Sequence, residues 1–212
     1  MQRVALIDYG SGNLRSAEKA LVRAADGRAD IVATNDPDVV ASADRIVLPG
    51  VGAFAACMSA LSERSGVIEA MTDAVIRRGA PFLGICVGMQ LMASRGLEFR
   101  ITEGLGWIPG DVKIIEPQGG EHLKVPHMGW NTLERVTDLP VLAGPKAGEP
   151  VYFTHSFAMY PADAADVAAY VDHGGAFPAA VARGNMAGVQ FHPEKSQATG
   201  LKLLADFLEW RP

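Results

Sequence analysis

Gly84-Ile85-Cys86-Val87-Gly88 sets a thiol between two glycines, where the apolar run PFLGIC (81–86) gives way to helical spacing in VGMQLMA (87–93). Glycines two residues to either side permit the sharp strand-to-helix turn of a nucleophile elbow, which a side chain would obstruct. Such a turn lifts the cysteine to the carboxyl edge of a sheet, where open α/β sheets bind ligands. It also sets the sulfur at the start of a helix, whose free amides stabilise a thiolate. The chemistry is then attack by sulfur on an acyl carbon. The other reading of Cys86 is a packed small hydrophobe, the usual fate of a free cysteine. Cys57 lies in an apolar helical stretch without that frame and is assigned to packing.

A thiolate nucleophile needs a base, and the base needs a group to orient it. Of the five histidines (His122, His127, His155, His173 and His192), His192 in QFHPEKS (190–196) is best placed. Pro193 biases His192 towards extended geometry, in which residues i and i+2 face one side. His192 and Glu194 then point to a common site, with the carboxylate holding the imidazole. A surface HPE turn with a solvated glutamate fits the same residues. Acyl transfer also needs donors for the oxyanion. The amide after the nucleophile, that of Val87, is the first. PGVG (49–52), with two glycines after a strand, is the candidate for a second, although by itself it reads as an ordinary turn. Gln90 falls one helical turn after Cys86 on the same face, and either a substrate contact or a core position suits it.

The elements that must position these groups alternate in the first 95 residues. VALID (4–8), DIVAT (30–34), RIVLP (45–49) and PFLGIC (81–86) are short apolar runs. Helical patterns at 14–25, 53–61, 66–78 and 87–93 separate or follow them. That alternation predicts parallel strands with right-handed crossovers, buried on both faces. The second half is richer in β-like pieces: DVKII (111–115), VYFTH (151–155), DVAAYV (166–171) and MAGVQFH (186–192), before an amphipathic helix over 201–210. The expectation is an α/β fold: an open, mostly parallel, flavodoxin-like sheet flanked by helices, with additional antiparallel strands in the second half. No linker or repeat divides the chain, so residues 1–212 are expected to form a single domain.

Composition narrows the function classes. The chain has 49 % hydrophobic and 20 % charged residues and a formal charge of −5, ordinary for a globular protein. Its basic residues are scattered, which argues against a nucleic-acid surface. Two widely spaced cysteines fit a reducing compartment. No signal peptide is visible, and the longest uncharged stretch, 46–62, is broken by Pro49, Gly50 and Gly52, so no membrane span and a cytoplasmic location are expected. There is no clustered Cys/His set for zinc.

Together, LPGVGAF (48–54), GICVGMQ (84–90), YFTHSF (152–157) and FHPEKS (191–196) resemble the class I (triad) glutamine amidotransferases over the whole chain. The resemblance implies L-glutamine as substrate, Cys86 as nucleophile, His192 as acid/base and Glu194 as its orienting group. It implies Val51 and Val87 as backbone oxyanion donors, the former only after the Gly50–Val51 peptide turns over. It implies glutamine contacts at Gly50, Gly52, Gln90, Ser156 and Phe157, with no metal and no organic cofactor. DYGSGN (8–13) and VPHMGWN (125–131) resemble the histidine-biosynthesis branch. There a separate (β/α)₈ cyclase subunit takes the ammonia, and Asn13, Trp130, Tyr152 and Lys195 would lie near it. The family elbow more often carries Leu at the position of Val87, where only the amide is used. The rival expectations are a glutaminase serving an anthranilate, pyridoxal phosphate or GMP-type synthase, and a Cys-His hydrolase on a similar sheet.

Overall fold

The apolar runs of the first half become adjacent parallel strands; VALID, RIVLP and PFLGIC are buried almost throughout, whereas DIVAT, expected to be covered on both faces, takes the edge of the sheet and has no fully buried residue. The computed structural model describes residues 1–118, 123–134 and 136–212; His122 lies outside the described residues. Strand β1 (Gln2–Ile7) leads through DYGSGN to helix α1 (Leu14–Ala25), then β2 (Ala29–Thr34), α2 (Pro37–Ser42) and β3 (Arg45–Leu48). Helices α3 (Phe54–Ser62) and α4 (Val67–Thr72) follow, with α4 running on as a wider π turn over Asp73–Arg77. Next come β4 (Phe82–Ile85), α5 (Val87–Gln90), and the short strands β5 (Arg95–Gly96) and β6 (Thr102–Glu103). The second half supplies β7 (Gly110–Ile114), β8 (His127–Glu134), β9 (Pro150–His155), β10 (Phe157–Pro161), β11 (Val167–Asp172), β12 (Ala176–Arg183) and β13 (Met186–Val189). Helix α6 (Gln197–Glu209) closes the fold.

The main sheet has nine strands in the order β2-β1-β3-β4-β13-β12-β11-β8-β9. Its first five strands are parallel and the rest antiparallel. Every residue of β3, β4 and β13 is buried, as expected of strands covered on both sides. A second sheet, β10-β7-β5-β6, shares the core. The mixed α/β fold and the antiparallel later strands agree with the sequence.

Two further local expectations change, and two elements appear that were not expected. The helix over 87–93 stops at Gln90. The strand expected over 186–192 ends at Val189, so Gln190 and His192 leave the sheet. Helix α2 and strand β12 carry no clear sequence signal. Only Val40 of α2 is buried, so no apolar period forms; the Asp36 side chain, accepting from Asp38 N–H at 2.9 Å, starts the helix instead. Pro178 argues against a strand, yet it sits in β12 opposite Tyr170, next to a register shift.

What matters for the site is the strand order β3-β4-β13. All three run parallel, so their carboxyl ends lie side by side. Those ends release PGVG, Cys86 and QFHPEK at one edge.

Candidate functional site

Cys86 sits at the turn between β4 and α5 with φ 54° and ψ −112°. This is a strained backbone for a residue with a Cβ. Its N–H donates to Val189 O at 2.8 Å, which ties the turn to β13. A Cβ on Gly84 would lie 2.7 Å from Gly88 O, and one on Gly88 would overlap the Leu48 carbonyl. The flanking glycines are thus required by close backbone approach at the edge of β3. Gly88→Ala is expected to lower stability by about 2–3 kcal/mol through overpacking, read from the midpoint shift in urea unfolding.

His192 and Glu194 meet, but not by strand alternation. His192 is extended (φ −100°, ψ 99°), and Pro193–Lys195 then form a 3₁₀ turn. That turn brings Glu194 Oε1 within 2.8 Å of His192 Nδ1, with both side chains fully buried. Ser196 braces the turn: its Oγ donates to His192 O at 2.6 Å and accepts from Tyr152 N–H at 3.0 Å. Burial pushes the His192 imidazolium down. The charge of the nearby Cys86 and the hydrogen-bonded carboxylate of Glu194 outweigh it and raise its pKa to about 9. Burial likewise pushes the Glu194 carboxyl up, but His192 and Asn13 hold it below the usual range. His192 Nε2 and Glu194 Oε2 are buried without a hydrogen-bond partner among the described residues. A protonated His192 beside a thiolate is the charge arrangement that nucleophilic sulfur requires.

The loop after β3 is closed over the amide of Val87, the expected first oxyanion donor. Val87 N–H donates to Gly50 O at 3.3 Å, so the amide that would bind an oxyanion already has an acceptor. A Cβ on Gly50 would meet Gly88 N at 2.6 Å and the Tyr9 hydroxyl at 2.8 Å.

A cleft of about 330 Å³ opens onto Cys86. Of the residues expected there, Val51, Gly52, Cys86, Val87, Gln90, Ser156, Phe157 and His192 line it; Gly50 lies beneath and does not. The sequence reading missed Glu98, Pro126, Thr154 and His155, which also line it. It missed Gln190 as well. That side chain is fully buried, donates to Cys86 Sγ at 3.6 Å and accepts from Gln90 Nε2 at 3.0 Å. Gln90 Nε2 also donates to Phe157 O at 2.9 Å. The available signal was proximity, since Gln190 stands two residues before His192.

Behind the cleft wall His155 Nδ1 donates to Phe157 O at 3.0 Å. His127 Nδ1 lies 3.1 Å from His155 Nε2, and Asn131 Nδ2 lies 3.2 Å from His127 Nε2. One pattern satisfies all three contacts: Asn131 donates to His127, which donates to His155, with both rings neutral. Burial and the neighbouring imidazoles keep them so, lowering His127 to about 3; burial chiefly lowers His155 to about 4.

Three of the four residues expected near a partner cluster at the surface. Trp130, 48 % exposed, meets Tyr152 edge to face at 5.9 Å, and Lys195 Nζ lies 5.6 Å above the Tyr152 ring. Asn13 is placed differently. It is buried, and its Nδ2 donates to Glu194 Oε1 at 3.1 Å.

The chain matches the family model described as glutamine amidotransferase class-I over residues 5–210. It is 61 % identical over 215 residues to the imidazole glycerol phosphate synthase subunit HisH of Caulobacter vibrioides, covering all of both chains. It is 55 % identical over 214 residues to the HisH subunit of Rhodospirillum rubrum, covering 99 % of this chain and 100 % of that one. Among solved structures, it superposes on a glutamine amidotransferase with a TM-score of 0.70 at 19 % identity, covering 97 % of each chain. A glutamine amidotransferase from Thermotoga maritima gives a TM-score of 0.66 at 16 % identity, covering 98 % of this chain and 96 % of that one.

Proposed function

We propose, from the premise that the chain belongs to the class-I glutamine amidotransferase family and within it to the HisH subunits of imidazole glycerol phosphate synthase, that Cys86, His192 and Glu194 carry out glutamine hydrolysis. The chain is an enzyme, a glutamine amidotransferase subunit of histidine biosynthesis. The observation that carries the residue assignment is the convergence of Cys86 with a fully buried His192–Glu194 pair at the ends of neighbouring strands.

Cys86 sulfur attacks the side-chain carbonyl carbon of glutamine, and the oxygen becomes the oxyanion. Val87 N–H binds it, joined by Val51 N–H once Gly50 O has left. Protonated His192 gives its proton to the departing nitrogen, the C–N bond breaks and ammonia leaves. Water then enters. His192 takes one of its protons while the hydroxyl adds to the thioester, and the C–S bond breaks to give glutamate and free Cys86. Glu194 keeps the imidazole oriented and stabilises its cationic form throughout. Gln90, Ser156 and Phe157 offer polar groups to the substrate backbone, and the Glu98 carboxylate suits its ammonium group.

The ammonia passes to a (β/α)₈ cyclase partner, which makes imidazole glycerol phosphate and aminoimidazole carboxamide ribotide. The exposed Trp130–Tyr152–Lys195 cluster supports a docking face there. The whole chain acts as one glutaminase domain in the cytoplasm. Among the described residues no helix is long and apolar enough to cross a membrane.

Because Val87 N–H is spent on Gly50 O, the isolated chain is expected to release glutamate roughly 10²–10³-fold more slowly than the complex with ligand-loaded cyclase, the effect of a missing oxyanion donor. Steady-state glutamate release with and without that partner tests this. Full activity of the chain alone, or turnover of peptides or esters in place of glutamine, would overturn the reading.

A further inference from the structure

Three successive carbonyls of the loop after β3 are each held by a donor from a different element. Tyr9 Oη, just beyond β1, donates to Pro49 O at 2.7 Å. Val87 N–H, at the start of α5, donates to Gly50 O at 3.3 Å. Cys57 Sγ, in α3, donates to Val51 O at 3.3 Å. Tyr9 and Cys57 are buried. Burial is the main cause that pushes both acids up, so each keeps the hydrogen it donates. Behind the loop is a separate cavity of about 210 Å³, lined by Tyr9, Gly12, Val51 and Cys57 among others. Val51 lines this cavity and the Cys86 cleft alike. The loop is therefore a thin partition with space on both sides.

The three bonds have different consequences. Gly50 O and Val51 N–H belong to one rigid peptide plane. Rotating that plane alone takes an acceptor away from Val87 and offers a donor in its place. Opposite changes in ψ of residue 50 and φ of residue 51 accomplish this without moving the planes on either side. Pro49 O belongs to the plane before and Val51 O to the plane after. Those two planes are the ones held by side chains, whereas among the described residues the middle plane is held by its contact to Val87.

We propose that Tyr9 and Cys57 are positioning residues of the oxyanion site: they fix the peptide planes on either side of Gly50–Val51, so that reorientation of that one peptide brings Val51 N–H to a defined place. This rests on the glutaminase reading above. Neither residue touches substrate; both act through the loop backbone. Both bonds persist through the rotation, so they govern where the donor arrives.

The test uses Tyr9→Phe, which keeps the ring and removes only the hydroxyl, and the pair Cys57→Ala and Cys57→Ser. Each variant is assayed for glutamate release from glutamine in the complex with the ligand-loaded cyclase. A misplaced donor loses part of the roughly 10²–10³ that one oxyanion donor supplies, so Tyr9→Phe is expected to lower kcat about tenfold. KM should stay within about twofold, since only the transition state loses an interaction. Alkylation of Cys86 by iodoacetamide needs no oxyanion hole and is expected to be unchanged. Cys57→Ala should lower kcat in the same direction, and Cys57→Ser, which restores a donor, should recover it. Unchanged or raised kcat in Tyr9→Phe, a loss carried by KM, or Cys57→Ser as slow as Cys57→Ala would each overturn the proposal. If Tyr9→Phe does not fold, the Cys57 pair decides. Cys86→Ala, assayed alongside, separates the two layers. Retained glutaminase in Cys86→Ala sinks the glutaminase reading itself, whereas an inactive Cys86→Ala with a full-speed Tyr9→Phe sinks only the positioning role.

Discussion

Cys86→Ala is expected to abolish glutamate release while leaving the folded chain and its complex intact. No other nucleophile can form the acyl intermediate at the elbow, and loss of one triad member typically removes most of the rate enhancement. The fall in kcat should reach at least about 10⁴. The structural cost is small. Alanine meets the same φ of 54° that cysteine already tolerates; removal of Sγ leaves the long 3.6 Å contact from Gln190 without an acceptor and takes away the Cys86 share of the His192 interaction, while Glu194 keeps its own. Supplying ammonium salts makes the experiment selective, because a cyclase fed with free ammonia bypasses glutamine. Cyclase activity of the variant complex should then match wild type with ammonia and vanish with glutamine. Glutamate release within about 100-fold of wild type would mean that sulfur is not the nucleophile.

The sequence marks those parts of the site that depend on neighbouring residues and is silent on those that depend on the fold. The elbow is readable because two glycines and a strand–helix change lie within five residues, and Gly84 and Gly88 are where backbone contact requires them. The parallel strands β1, β3 and β4 are readable because burial on both faces leaves unbroken apolar runs. His192 and Glu194 are in contact, but not through the alternation of a strand: the strand ends at Val189, and a turn makes the contact. Asn13 contacts Glu194 across 181 positions and Gln190 contacts Cys86 across 104. No local pattern encodes such pairs; they follow from which strand ends the topology sets side by side. The same holds for Tyr9 and the Pro49 carbonyl. Cys57, assigned to packing, is indeed buried in α3, and only the fold shows that its hydrogen reaches Val51 O.

Glu194→Gln should have the second largest effect, and its pH dependence distinguishes orientation from charge. Glutamine preserves size and can still accept from His192 Nδ1–H, but it no longer stabilises an imidazolium in a fully buried pair. By analogy with neutralising the carboxylate of a serine triad, kcat should fall about 10³–10⁴-fold. Stability should change with a defined sign. The folded pKa of His192, about 9, exceeds its usual 6.5, so its contribution is complete below 6.5 and is lost as pH rises through about 9. The folded pKa of Glu194 is depressed from 4.5, so its contribution is complete above 4.5 and is lost as pH falls through the lowered value. The pair therefore stabilises the fold most between 4.5 and 6.5. For His192 the gain is on the order of 3 kcal/mol, shared between Cys86 and Glu194. Urea unfolding of wild type and Glu194→Gln should show a stability gap that is widest near pH 6 and narrows towards about pH 10. A gap that stays constant across that range would show that Glu194 acts by shape and hydrogen bonding alone. A kcat within about tenfold of wild type would remove it from the catalytic arrangement.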